Sequence, residues 1–221
     1  TTSRGLGDVY KRQDIDGESV NDNSGRSVAF NAAGNRIIIG ANGNNGSAPY
    51  SGHARVYDWD GSAWTQVGGD INGEAGSDYS GWKVAMNNAG NRVLVGAIYN
   101  TGNGYRAGHA RMFSYDGTNW VQMGSDIDGE NAEDEFSWSA AMNGAGSRVV
   151  ISAYKNDGTG TNAGHTRIFD WNGTTWNQLG SDIDAEAAED QAGYAVSMND
   201  AGDRIALSLI HISEPTRRST I

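Results

Sequence analysis

The acidic pentapeptide Asp14-Ile15-Asp16-Gly17-Glu18 returns as Asp70-Ile71-Asn72-Gly73-Glu74, as Asp126-Ile127-Asp128-Gly129-Glu130 and as Asp182-Ile183-Asp184-Ala185-Glu186. The step is 56 residues each time, with no insertion or deletion, and it also relates His53 to His109 and His165, and Trp64 to Trp120 and Trp176. A fixed step of this size means that one supersecondary unit is copied along the chain. The copies span residues 14–69, 70–125 and 126–181, with the opening of a fourth at 182–206.

Within one copy the chain reads as four short strands. Ser27-Val28-Ala29-Phe30 alternates small and apolar residues, and Asn31-Ala32-Ala33-Gly34-Asn35 then supplies turn chemistry. Arg36 to Ala41 is an apolar run short enough for a buried strand and too short for a helix. A loop rich in Gly, Asn and Ser over residues 42–52 leads to a third strand, His53 to Trp59. Asp60-Gly61, returning as Asp116-Gly117 and Asn172-Gly173, marks a tight hairpin into a fourth strand at Trp64 to Gly68.

One four-stranded sheet of this length cannot bury both of its faces. Copies stacked face to face around an axis can, and the expected fold is therefore all-β, a partial β-propeller of four-stranded antiparallel blades. A β-solenoid has shorter coils without a hairpin in each, and no 3.6-residue pattern supports helical repeats. The 32 glycines show no three-residue period, so collagen is excluded, and the absence of cysteine excludes a disulfide scaffold. No apolar run approaches the roughly 18 residues of a spanning helix.

Ser24-Gly25-Arg26-Ser27-Val28 with Ile39-Gly40-Ala41, and Ser80-Gly81-Trp82-Lys83-Val84 with Val95-Gly96-Ala97, resemble the FG-GAP repeat of integrin-alpha-like propellers and of many secreted bacterial proteins. The segment from Tyr57-Asp58 to Trp64 is similar to the hairpins of kelch blades. The resemblance implies an extracellular or cell-surface binding and adhesion module. It departs from the family where Asn42, Ile98 and Tyr154 replace the proline expected after Gly-Ala. It departs again where the family's calcium loop stands as Asn31–Asn35, which carries no carboxylate in the first three copies.

The termini obey another logic. Residues 3–13 and 207–217 can each be encoded as the reverse complement of the other over eleven codons, and the string looks like a transposase adapter from a sequencing library. Segments 1–13 and 207–221 are therefore expected to be adapter-derived scars flanking a propeller fragment over 14–206. That span carries 25 acidic against 11 basic residues, a balance that argues against binding the phosphates of nucleic acid.

Three constellations are candidates for chemistry. The first is the acidic turn D-x-D-G-E-x-x-x-D: Asp14, Asp16, Glu18 and Asp22; Asp70, Glu74 and Asp78; Asp126, Asp128, Glu130 and Asp134; Asp182, Asp184, Glu186 and Asp190. Several hard oxygens around a flexible turn suit calcium, and the same residues suit a solvated acidic connection between blades. The second is His53, His109 and His165. Blade spacing keeps equivalent positions apart, so a shared zinc ion is set aside in favour of a repeated structural hydrogen bond, with Arg55, Arg111 and Arg167 pairing to carboxylates. The third is aromatic: Trp64, Trp120 and Trp176 are expected to pack between blades, whereas Trp59, Tyr115 and Trp171, and Trp82, Trp138 and Tyr194, are candidates for packing or for stacking on sugars.

No nucleophile elbow and no phosphate loop occurs. The function expected from these residues is a non-catalytic binding or adhesion module with a protein or glycan ligand, in which the fragment self-associates through open blade faces. The alternative is part of a propeller enzyme, such as a carbohydrate-active hydrolase, with its active site on a propeller face or in a neighbouring domain.

Overall fold

A computed structural model describes residues 14–209; the adapter-like segment 1–13 and residues 210–221 of the segment 207–221 lie outside the described residues. The first blade has strands β1 (Ser24–Phe30), β2 (Arg36–Ala41), β3 (His53–Trp59) and β4 (Trp64–Gln66) in that spatial order, all antiparallel. A two-residue strand, β5 (Ile71–Asn72), comes from the next copy of the repeat and pairs back onto β3, with His53 opposite Asn72 and Ala54 opposite Ile71. The acidic turn is thus partly a strand that laces each repeat to the blade before it.

The second blade repeats this with β6 (Ser80–Met86), β7 (Arg92–Ala97), β8 (His109–Tyr115), β9 (Trp120–Gln122) and the lacing strand β10 (Ile127–Asp128). The third has β11 (Ala140–Met142), β12 (Arg148–Ala153), β13 (His165–Trp171), β14 (Trp176–Gln178) and β15 (Ile183–Asp184), and the described chain continues into a pair, β16 (Val196–Met198) and β17 (Ile205–Leu207). Leu207, assigned from sequence to the second scar, pairs with Val196. No α-helix occurs among the described residues, and the all-β partial propeller expected from the period is the fold observed.

The first strands of successive blades, β1, β6, β11 and β16, pack against one another and form the inner layer. The core lies between sheets. Ile38, Val56 and Ala54 of the first blade meet Val84, Val93, Val95 and Phe113 of the second. Leu94 and Met112 of the second meet Val149, Ile151 and Phe169 of the third. Burial of this kind contributes about 1.5–3 kcal/mol per large apolar side chain, which is why a blade is stable only in company. Trp120 and Trp176 seal these layers as expected: their indole N–H groups donate across the blade boundary to the carbonyls of Val67 and Met123, each at 2.9 Å.

The blades also touch closely through backbone. Gly52 sits at a φ of 70° with the Ser80 carbonyl oxygen 2.1 Å from where a Cβ would stand, so no other residue fits where β6 crosses the start of β3. At the opposite end of the blades, the turns after the inner strands form an interblade ladder: Ala32 N–H donates to the Asn88 carbonyl, Asn88 to Gly144, and Gly144 to Asp200.

Candidate functional site

Each acidic turn arrives at the end of the blade where β2 stops and β3 begins. There the structure divides the carboxylates that the sequence grouped together. Asp22, Asp78, Asp134 and Asp190 are buried and serve the turn itself. Asp22 accepts from the backbone N–H of Ser19 at 2.8 Å and from the Asn44 amide at 3.1 Å. Asp134 does the same with Asn131 and Asn156, and Asp190 accepts from Ala187 N–H. Asp16, Asp128 and Asp184 are exposed on the lacing segments. Asp14 and Glu186 belong to no cluster of three or more such ligating side chains among the described residues.

The remaining carboxylates meet the histidines. Glu18 and Asp70 flank His53, Glu74 and Asp126 flank His109, and Glu130 and Asp182 flank His165, with the ligand atoms of each group within 4.8 Å of one another. Every group takes its glutamate from its own repeat and its aspartate from the next. The Nδ1-to-oxygen separations run from 3.4 Å (His109 to Asp126) to 3.9 Å (His165 to Glu130). The structural hydrogen bond expected of these histidines is missing at His53, where neither ring nitrogen has a partner, and Nε2 of His109 and of His165 has none either; His109 Nδ1 stands 3.4 Å from Asp126, whose pKa it lowers. The reason is placement, since β3, β8 and β13 bury the rings while the carboxylates stay at the rim.

The electrostatics derive from that burial. Desolvation lowers the pKa of His53 against the opposing pull of Asp70 and Glu18, and lowers that of His165 to about 4. Both rings are neutral near pH 7. Burial raises the carboxyl of Glu130, and Asp182, Asp134 and Asp184 raise it further against Arg167, so negative charge is in surplus here. The arginines pair as expected: Arg55, Arg111 and Arg167 each approach the glutamate at 3.4 Å. Each also donates to a backbone carbonyl of the acidic segment, those of Asp16, Asn72 and Asp128.

The Asn31–Asn35 turn is closed by its own side chains. Asn31 Oδ1 accepts from the backbone N–H groups of Asn35 and Arg36, so its side-chain oxygen is engaged in the turn.

A second constellation lies on the same end of the blades. Arg26, Trp82, Trp138 and Tyr194 occupy one repeat position at the start of the four inner strands, and they form an arc. Arg26 lies 3.9 Å over Trp82, Trp82 and Trp138 are 5.0 Å apart between ring centroids, and Trp138 and Tyr194 are 5.5 Å apart. Tyr154 joins at 4.3 Å from Trp138. Beside the arc, a cavity of about 420 Å³ is lined by Arg106, Glu133, Glu135, Lys155, Asp157 and Asn162. Glu135 is buried there, accepting from the Tyr154 hydroxyl at 3.1 Å and pairing with Lys155 at 2.8 Å. Burial and the Glu135 charge push the Tyr154 phenol up to about 12. Burial disfavours the Lys155 ammonium, but Glu135 outweighs it and raises the lysine's pKa. Arg106 also borders a cavity of about 300 Å³ walled by Tyr79, Tyr99 and Tyr105, and its guanidinium lies 4.4 Å over the Tyr99 ring. Sequence reading gathers Trp82, Trp138 and Tyr194 but misses Arg26, Glu135, Tyr154 and Lys155. The missed signal is departure from the repeat: Glu135 stands where the other copies have Asn23, Tyr79 and Gln191.

No protein-family description and no curated protein matches the chain in sequence. Among solved structures it is similar to a "putative 6-phosphogluconolactonase" from Bacteroides uniformis, with a TM-score of 0.53 and 10% identity over 82% of this chain and 46% of that one. It is also similar to hydrazine synthase of Kuenenia stuttgartiensis, with a TM-score of 0.50 and 8% identity over 87% of this chain and 44% of the other. The chain spans under half the length of either. At such identity the likeness establishes the propeller architecture and passes on no activity. It does correct one expectation, that the module is not an enzyme: the first neighbour's name is that of an enzyme. The expectation rested on the lack of a nucleophile elbow and of a phosphate loop, whereas Glu135, Tyr154 and Lys155 depart from the repeat beside a cavity.

Proposed function

We propose that the chain is a ligand-binding propeller module that works outside the cell or at its surface and holds a carboxylated glycan on the end of the blades bearing the arc and the two cavities. The observation that carries this reading is the company kept by Arg26 and Arg106. In a chain of net charge −11, neither forms an ion pair with a described carboxylate, and each lies over an aromatic ring. Flat rings stack on sugar faces and guanidinium groups take carboxylates, so the set suits a polymer of acidic sugars. The FG-GAP-like motifs support the same reading. Calcium enters it as the ion that the exposed carboxylates Asp16, Asp128 and Asp184 attract at millimolar concentration.

Glu135, with Glu133 and Asp157 around one cavity, favours a second reading in which the bound glycan is also cleaved. One experiment serves both. Titration with a polyuronate and with a neutral polysaccharide, read by tryptophan fluorescence, should show binding of the acidic polymer. That binding should weaken about tenfold in Trp138→Ala and in Arg106→Ala. Failure of every polyuronate to bind, or equal binding by both variants, overturns the proposal. Release of reducing ends by the wild type and its loss in Glu135→Gln would establish the second reading.

A further inference from the structure

We propose that each Glu–His–Asp group binds one divalent transition-metal cation of the zinc, cobalt or nickel class. The described chain then holds three ions: at Glu18, His53 and Asp70; at Glu74, His109 and Asp126; and at Glu130, His165 and Asp182. The inference is independent of the glycan reading.

Distance is the first support. The six imidazole-to-carboxylate separations lie between 3.4 and 3.9 Å. That is beyond a normal N–H···O hydrogen bond of about 2.7–3.2 Å. It is close to what two atoms sharing one ion require, since ligands about 2.1 Å from a tetrahedral centre stand about 3.4 Å apart.

The second support is the imidazole itself. Each ring is 1% exposed. His53 leaves both nitrogens unpartnered, and His109 and His165 leave Nε2. Whichever tautomer His53 adopts, it buries one unanswered N–H and one unanswered lone pair, and unmet buried polar groups are costly. A cation at Nδ1 answers the lone pair and at the same time separates the two carboxylates by a positive charge.

The donor set selects the ion. Calcium takes six to eight oxygens, and each group offers two carboxylates and a nitrogen, whereas imidazole suits zinc and its first-row neighbours. The arginines do not compete for the site. Arg55, Arg111 and Arg167 approach Oε1 of their glutamates, while Oε2 faces the imidazole, so the guanidinium orients the carboxylate toward the ring. Three protein ligands leave a coordination position at the rim, where the glutamates are 40–44% exposed, for water or an oxygen of a bound molecule.

Cobalt tests the proposal because its visible absorption reports coordination directly. The untagged 221-residue chain, stripped with chelator, should take up three equivalents of cobalt with a saturating absorption change. Zinc should displace the cobalt and millimolar calcium should not. Combining Glu74→Gln with Asp126→Asn should reduce the count by one and leave the circular dichroism spectrum unchanged. These residues are chosen because they lie at the rim, whereas His109 is part of the packed blade. Should the double variant fail to fold, Asp126→Asn alone is read by the same loss. Absence of saturable cobalt binding, a count that does not fall in the variants, or displacement by millimolar calcium would each overturn the assignment.

Discussion

At the scale of single residues, burial of a titratable ring sets a pH dependence. His165 titrates at about 4 in the folded chain and at about 6.5 when unfolded. Between those values the unfolded state holds the extra proton. Stability should therefore fall as pH drops from about 6.5 to about 4 and lose nothing further from this residue below that. The drop is on the order of 3 kcal/mol. Urea midpoints of the metal-free chain at pH 7 and pH 4.5 measure it, and His165→Asn, which cannot titrate there, should show a smaller difference. A wild type with the same slope as the variant would refute this account. The residue scale is also where sequence reading is weakest. Asp14 to Asp22 look like one site because they are contiguous, yet the group that forms takes Glu18, His53 and Asp70 from places far apart in the chain. Only the equal 56-residue step of the histidines and the acidic turns hints that these positions travel together.

Elements are more legible. Asp60-Gly61 marks its hairpin because its chemistry is local: Asp60 Oδ1 accepts from the backbone N–H groups of Ser62 and Ala63, and Gly61 takes a φ of 103°. The lacing strands read as turns, because two residues of pairing leave no periodicity to detect. Their side chains show what anchors them. Ile127 is buried in the layer between the second and third blades, and its strand β10 pairs only with β8. Ile127→Ala should cost about 3 kcal/mol and should free β10 before the rest of the blade. Amide exchange should then accelerate around Ile127 and Asp128 more than in β7. Uniform acceleration across the sheet would show that lacing and blade form one cooperative unit.

At the scale of the whole molecule, the period implies a core between blades, and the outer side of the first blade carries only a small cluster, Ile37, Ile39 and Tyr57 with Ile15 and Trp64 packed against them. Val28 and Phe30 are 52% and 51% exposed, while their equivalents Val84 and Met86 are 2% and 8% exposed. Half-exposed apolar residues at the edge of such a cluster favour association. Sedimentation should show reversible oligomers of the chain that Val28→Glu with Phe30→Glu shifts toward monomer, and a monomeric wild type at all concentrations would contradict this.

The lacing strands have one more consequence. Because β5, β10 and β15 each lie in the blade before their own repeat, the unit copied in the chain and the unit that packs in space are out of phase, like courses of brick laid with overlapping joints. A gene duplication or an engineered excision that respects the 56-residue period leaves every overlap intact, so such arrays can change length by whole copies without a defective seam. A single truncation between β4 and β5, at the boundary of two copies, instead parts a blade from the strand that completes it.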